Sequence, residues 1–141
     1  KRRNEWESPS QMYERLSQHK NFASWEKAVL MDYCQHGLEK QGNSYRLSCP
    51  PSAEAAMYGA YINPAVLECL KGYENPVSIL LARAMKSTES FDDFGPSITR
   101  DDLGNMFPNA TVQRYPEHSH FLPMENTNLI ADAIRNLCMS L

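Results

Sequence analysis

The second half of the chain carries the clearest pattern of apolar and polar segments. Residues 77–82 form a nearly continuous apolar run, which is typical of a parallel strand buried on both faces. Residues 110–115 are a second predicted strand. Between the two, Thr99 with Asp102 three residues later predicts a helix that stops before Pro108.

A last helix follows, because Asn126 is a good N-cap and apolar residues then recur at helical spacing: Leu129, Ile130, Ala133, Ile134 and Leu137. The order strand, helix, strand, helix predicts an α/β fold with a parallel sheet. Two strands cannot complete such a sheet. We expect further strands from residues outside this chain, and the alternative is a small α+β domain with a thin sheet.

The first half of the chain predicts mainly helices. Ser8, with Pro9 and Gln11 behind it, predicts a helix to about residue 19. Ser24 predicts the start of a second helix that Gly37 ends. The apolar side of this second helix would consist of Trp25, Ala28, Val29, Met31 and Tyr33.

The pattern then becomes less regular. Residues 43–49 alternate only weakly and run into two prolines, which favours an extended connector over a strand inside a sheet. Ser52 predicts a short helix through Tyr61, and Pro64 predicts another that ends near Gly72.

Charge and composition exclude several function classes. The chain has 141 residues, 42% of them hydrophobic, and a net charge of −3 without a basic field, so nucleic acid is not an expected partner. The longest apolar run is far shorter than a membrane span. The four cysteines form no CxxC pair, and we expect no metal, no cofactor and a reducing compartment.

The segment 115–125 lies between the last predicted strand and the last helix, where open α/β sheets collect functional groups. Its core, Ser-His-Phe-Leu-Pro-Met-Glu at 119–125, resembles the histidine loop of α/β-hydrolases. The resemblance implies that His120 is the general base, which takes a proton from a nucleophile and returns it to the leaving group. His118 is expected to point elsewhere. A backbone-bound loop histidine and a metal site shared by the two histidines are the alternatives.

The other members of a catalytic triad are not evident. Ser87 stands near the position where many hydrolases have the acid, and Glu89 and Asp92 are weaker local candidates. In fungal hydrolases similar to this chain, including peroxisomal lipase-like ones, the acid follows the preceding strand, which would lie upstream of Lys1. The chain also has no GxSxG elbow. We therefore expect activity only together with an N-terminal half of the same protein that carries the nucleophile.

The resemblance implies two regions. Residues 1–72 would form a helical cap, and residues 73–141 would be the carboxy-terminal portion of the hydrolase sheet. Apolar residues of the cap and the histidine loop are the candidates for substrate binding: Trp25, Met57, Tyr58, Tyr61 and Phe121. The alternative for each is helix packing. The implied substrate is a moderately large apolar ester, thioester or lactone.

Two functions from other classes compete with a hydrolase. One is a hydrolase-like protein that binds a ligand without catalysis, since the fold is reused in that way. The other is a free-standing α+β interaction domain. A cytoplasmic or peroxisomal location and a homodimer are both compatible with the sequence.

Overall fold

The computed structural model describes residues 3–59, 65–70, 72–84, 95–97 and 99–140. The chain contains both helices and small sheets, and it divides into two compact units, Lys1–Ile62 and Asn63–Leu141. The fold is therefore mixed α/β at this level. The division expected from the sequence falls later, after residue 72, and the assignment of a cap and a core stays a prediction.

The first helix of the first unit begins where the sequence predicts. Helix α1 spans Pro9–Ser17, and the Ser8 hydroxyl accepts a hydrogen bond from the Gln11 backbone nitrogen at 3.1 Å. The Gln11 side-chain oxygen in turn accepts from the backbone nitrogen of Glu7 at 3.1 Å. The predicted N-cap is confirmed, because this signal is local to one turn.

The second helix corrects the prediction at its start. Helix α2 spans Lys27–His36 with Glu26 at its N-cap, so it begins later than Ser24 indicated, whereas it ends before Gly37 as predicted. Its buried stripe consists of Leu30 and Cys34, four residues apart. The expected apolar side is wrong at one position, Ala28, which is exposed.

A three-stranded antiparallel sheet is the main feature that the sequence patterns miss. Strand β1 is Glu5–Trp6, β2 is Leu38–Gln41 and β3 is Ser44–Leu47, with β3 in the centre. The prediction of a connector at residues 43–49 is therefore wrong. Gly42, with a φ of 62°, and Asn43 form a two-residue turn between β2 and β3. Positive φ at the first turn position alone is the pattern of a type II′ hairpin.

The core of the first unit lies between α1, α2 and this sheet. Its buried residues are Trp6, Met12, Leu30, Cys34, Leu38 and Leu47, and aromatic rings surround them. Burial raises the pKa of the Cys34 thiol to about 11, because a thiolate loses its hydration there. Cys34 is thus a packing residue.

Two short helices follow. Helix α3 spans Pro51–Tyr58 with Pro50 at its N-cap, so Ser52 is not the cap that we expect from the sequence. Helix α4 spans Ala65–Leu70. The predicted end of the first at Tyr61 and the predicted start of the second at Pro64 lie outside the described residues.

The two predicted strands of the second unit are confirmed. Strand β4 is Val77–Ala82 and β5 is Ala110–Tyr115, and they pair in parallel with Val77 opposite Ala110. Ile79, Leu81 and Ala82 are buried. Between the strands, the helix expected from Thr99 is instead a short 3-10 helix, Leu103–Met106, with Asp102 at its N-cap.

Two helices follow β5. Helix α5 is the single turn Leu122–Glu125, which the sequence pattern does not predict, and α6 spans Thr127–Met139. The Asn126 side chain accepts a hydrogen bond from the Leu129 backbone nitrogen at 3.0 Å, so this cap is confirmed. On the predicted apolar face of α6, Ile134 is 59% exposed. Among the described residues, no helix is both long and apolar enough to cross a membrane.

Candidate functional site

The carboxyl ends of β4 and β5 lead into two loops that backbone hydrogen bonds join. The nitrogen of Arg83 donates to the His118 carbonyl at 3.0 Å, and that of Ser97 donates to the Arg83 carbonyl at 2.9 Å. The nitrogen of His120 donates to the Gly95 carbonyl at 2.8 Å. Parallel strands end at one edge of a sheet, so the histidine loop is anchored where the sequence places functional groups.

His120 presents an exposed imidazole at this edge. Its ring centroid lies 5.7 Å from that of Phe121, with 58° between the ring planes. Within the part of the chain that the structure describes, no side chain hydrogen-bonds to the His120 ring. The residue is therefore fixed at its backbone, and its imidazole is accessible to an incoming group.

A buried carboxylate, that of Glu125, accepts hydrogen bonds from the histidine loop. The Glu125 side chain is only 6% exposed. It accepts hydrogen bonds from the Ser119 backbone nitrogen at 2.8 Å and from the Ser119 hydroxyl. The Ser119 hydroxyl oxygen accepts in turn from the Phe121 backbone nitrogen at 3.0 Å. The sequence pattern does not indicate this role of Glu125, because only the fold of the loop brings its side chain back to Ser119.

His118 differs from His120 in its surroundings. Its Nδ1 lies 3.2 Å from a Glu125 oxygen, and its ring centroid lies 6.4 Å from that of Tyr115. An ionised carboxylate can only accept, so Nδ1 of His118 is the donor when Glu125 is charged. No group of three or more potential ligands that could hold a metal ion occurs among the described residues.

A cation also lies at the end of the parallel strands. Arg114, on β5, donates to the carbonyl oxygen of Ala82 at 2.7 Å and forms an ion pair with Asp101. It thus ties the last residue of β4 to the segment before the 3-10 helix. The sequence pattern does not indicate this role of Arg114, because its position in the strand indicates only a polar face.

The candidates for substrate binding fall in different parts of the chain. In the first unit, the Trp25 ring packs against Phe22 and Tyr33, with centroid distances of 5.0 and 5.8 Å. Met57 is 73% exposed. In the second unit, Phe121 is half-buried beside His120. Thus Phe121 alone of these three adjoins the histidine within one unit.

The remaining candidates belong to other parts of the sequence. Tyr61, Ser87, Glu89 and Asp92 lie outside the described residues, as does the side chain of Tyr58. A depression of about 350 Å³ in the second unit is lined by Asn105, Met106, Phe107 and Pro108. None of the predicted site residues is in its lining.

No family model matches this chain, and no curated protein or solved structure matches it. The chemistry of the site must therefore be judged from its own geometry. An exposed imidazole on a hydrogen-bonded loop can accept and return a proton, and the described residues around it provide a half-buried phenyl ring and a buried carboxylate.

Proposed function

We propose that this chain supplies the general base, His120, and the substrate-binding cap of a serine-type α/β-hydrolase. One observation carries the proposal. The His120 backbone is bonded to the loop that follows the neighbouring parallel strand, while its imidazole is exposed at the carboxyl end of the sheet.

The order of elements supports this assignment. β4 and β5 are adjacent and parallel, the histidine loop follows β5, and the amphipathic helix α6 comes next. This order is similar to the carboxy-terminal part of α/β-hydrolases. The sequence His-Phe-Leu-Pro-Met-Glu at 120–125 is the part of the resemblance that is specific at residue level.

In the proposed reaction, His120 removes the proton from a hydroxyl nucleophile as it attacks the acyl carbon, and then protonates the leaving group. The N-terminal half of the same protein provides the nucleophile and the oxyanion donors. The triad acid comes from that half, or from Glu89 or Asp92, which follow β4 in the sequence. No cofactor takes part.

The substrate class follows from the apolar candidates. Phe121 adjoins the general base, and residues 1–72 as a cap would add the apolar side chains Trp25, Met57, Tyr58 and Tyr61. We propose a moderately large apolar ester, thioester or lactone as substrate, and a cytoplasmic or peroxisomal location.

The test uses the full-length protein that contains this chain and a series of p-nitrophenyl acyl esters. His120→Ala should lower kcat by at least about 10³-fold, because removal of the base of a triad leaves only binding and oxyanion stabilisation. His36→Ala is the matched control, since His36 is another exposed histidine, at the end of α2, and it should leave kcat unchanged.

A fluorophosphonate probe separates the two hydrolase-like functions. In the catalytic case it labels the nucleophile of the wild-type protein and labels the His120→Ala variant much more slowly. Full ester turnover by the His120→Ala variant would refute the role of His120. A protein that binds the esters without turnover or labelling would instead be a ligand-binding protein with a hydrolase-like fold.

A further inference from the structure

Glu125 is a buried acidic side chain to which the proposed reaction gives no role. A carboxylate removed from water is unfavourable unless hydrogen bonds replace its hydration. Here the Ser119 backbone nitrogen, the Ser119 hydroxyl and Nδ1 of His118 supply those bonds. All of them come from the two residues that precede His120.

These bonds continue around His120. Glu125 holds the backbone nitrogen of Ser119 directly, and it holds that of Phe121 through the Ser119 hydroxyl. The backbone nitrogen of His120, between them, is bonded to Gly95. Three consecutive backbone nitrogens, at 119, 120 and 121, therefore have fixed acceptors, and the Cα position of His120 is determined from both sides.

The N-cap of α6 is supplied by a residue other than Glu125. Glu125 ends α5, and α6 begins two residues later with its own N-cap, Asn126, bonded to Leu129. The Glu125 carboxylate points back to the loop instead of capping α6. Its bonds to Ser119 and His118 fix the segment that carries the imidazole.

We infer that Glu125 is a positioning residue that orients His120 through Ser119, with His118 as the donor that compensates its buried charge. This inference rests on the proposed function. The hydrogen bonds of Glu125 to this loop reach Ser119 and His118, the residues before His120. Glu125 acts by restricting the backbone of the His120 loop to one conformation. The imidazole is then already oriented toward the nucleophile.

The test compares two substitutions of Glu125 in the full-length protein with p-nitrophenyl esters. Glu125→Ala should lower kcat about 10²-fold with KM within about twofold, because the base is displaced while substrate contacts remain. Glu125→Gln should recover kcat to within about tenfold of wild type, since the amide oxygen still accepts from the Ser119 backbone nitrogen.

Asn126→Ala is the matched control for a general loss of stability. It removes the cap of α6 next to Glu125 and lowers the denaturation midpoint, but it should leave kcat unchanged. A loss of kcat in this control equal to that in Glu125→Ala would show a merely structural role and overturn the inference. If Glu125→Ala does not fold, Ser119→Ala replaces it, because it removes the link to Phe121 and keeps the bond to the Ser119 nitrogen; we then expect a kcat loss of about tenfold.

The outcomes distinguish this inference from the proposed function. An inactive His120→Ala variant beside a Glu125→Ala variant of wild-type kcat would keep the general base and overturn the positioning role. A fully active His120→Ala variant would overturn both. Loss of kcat in both variants, with partial recovery in Glu125→Gln, supports both.

Discussion

The backbone nitrogen of His120 donates a hydrogen bond to the carbonyl oxygen of Gly95 at 2.8 Å. This bond joins the loop after β5 to the segment that follows β4 in the sequence. Together with the bonds of Arg83 and Ser97, it makes the two loops one hydrogen-bonded layer. Neither loop can open at this point without breaking bonds of the other.

Amide hydrogen exchange measured by NMR should detect this coupling. Because their bonds belong to one layer, the amides of Arg83, Ser97 and His120 should exchange with a common opening free energy and respond equally to low denaturant concentrations. The amide of Glu117, which has no backbone acceptor among the described residues, should exchange much faster. Unprotected exchange at His120 beside protected Arg83 and Ser97 would contradict the coupling.

The turn between β2 and β3 gives a second prediction. Gly42 has a φ of 62°, and a Cβ there would meet nothing within 4 Å. Gly42→Ala should therefore destabilise the first unit by about 1 to 2 kcal/mol through backbone conformation alone. Gly59→Ala is the control, because Gly59 has a φ of −85° and its added Cβ would make ordinary contacts; we expect a change below about 0.5 kcal/mol.

Urea unfolding followed by tryptophan fluorescence measures this difference, since both tryptophans, Trp6 and Trp25, lie in the first unit. Equal denaturation midpoints for Gly42→Ala and Gly59→Ala would contradict the assigned turn.

The third prediction concerns pH. Cys34 is fully buried and its pKa is raised to about 11, whereas a thiol in the unfolded chain ionises near about 8.5. As the pH rises, the Cys34 thiol therefore loses its proton at a lower pH in the unfolded chain than in the folded protein. The stability from the neutral buried thiol is complete below about pH 8.5 and is lost as the pH rises through about 11. The loss is on the order of 3 kcal/mol.

Denaturation midpoints of the wild type and of Cys34→Ala between pH 7 and pH 10.5 measure this effect. The wild type should lose more stability over this range than the variant, although Cys34→Ala starts lower because it leaves a small cavity.

In addition, iodoacetamide at pH 8 should alkylate the exposed Cys49 rapidly and Cys34 only after unfolding. Rapid alkylation of Cys34 in the folded protein would contradict its burial.

The sequence by itself determines the features whose signals lie within a few residues. The apolar run at 77–82 predicts β4, because a buried strand needs only its own side chains to be apolar, and residues 110–115 predict β5. Ser8 and Asn126 predict their helix starts, because each side chain bonds to a backbone nitrogen three residues away. The place of His120, after the last strand, follows from the same local order.

Only the tertiary structure decides the features that depend on distant partners. β1 pairs Glu5 with Arg46, and β3 lies in the centre of a sheet that no periodicity indicates. Strands of two and four residues are too short to show a pattern and are stabilised by pairing with another segment. For the same reason the bonds from Glu125 to Ser119 and His118 could not be predicted, because they require the chain to turn back on itself. His120 can therefore be predicted from the sequence, whereas the role of Glu125 in its loop depends on the fold.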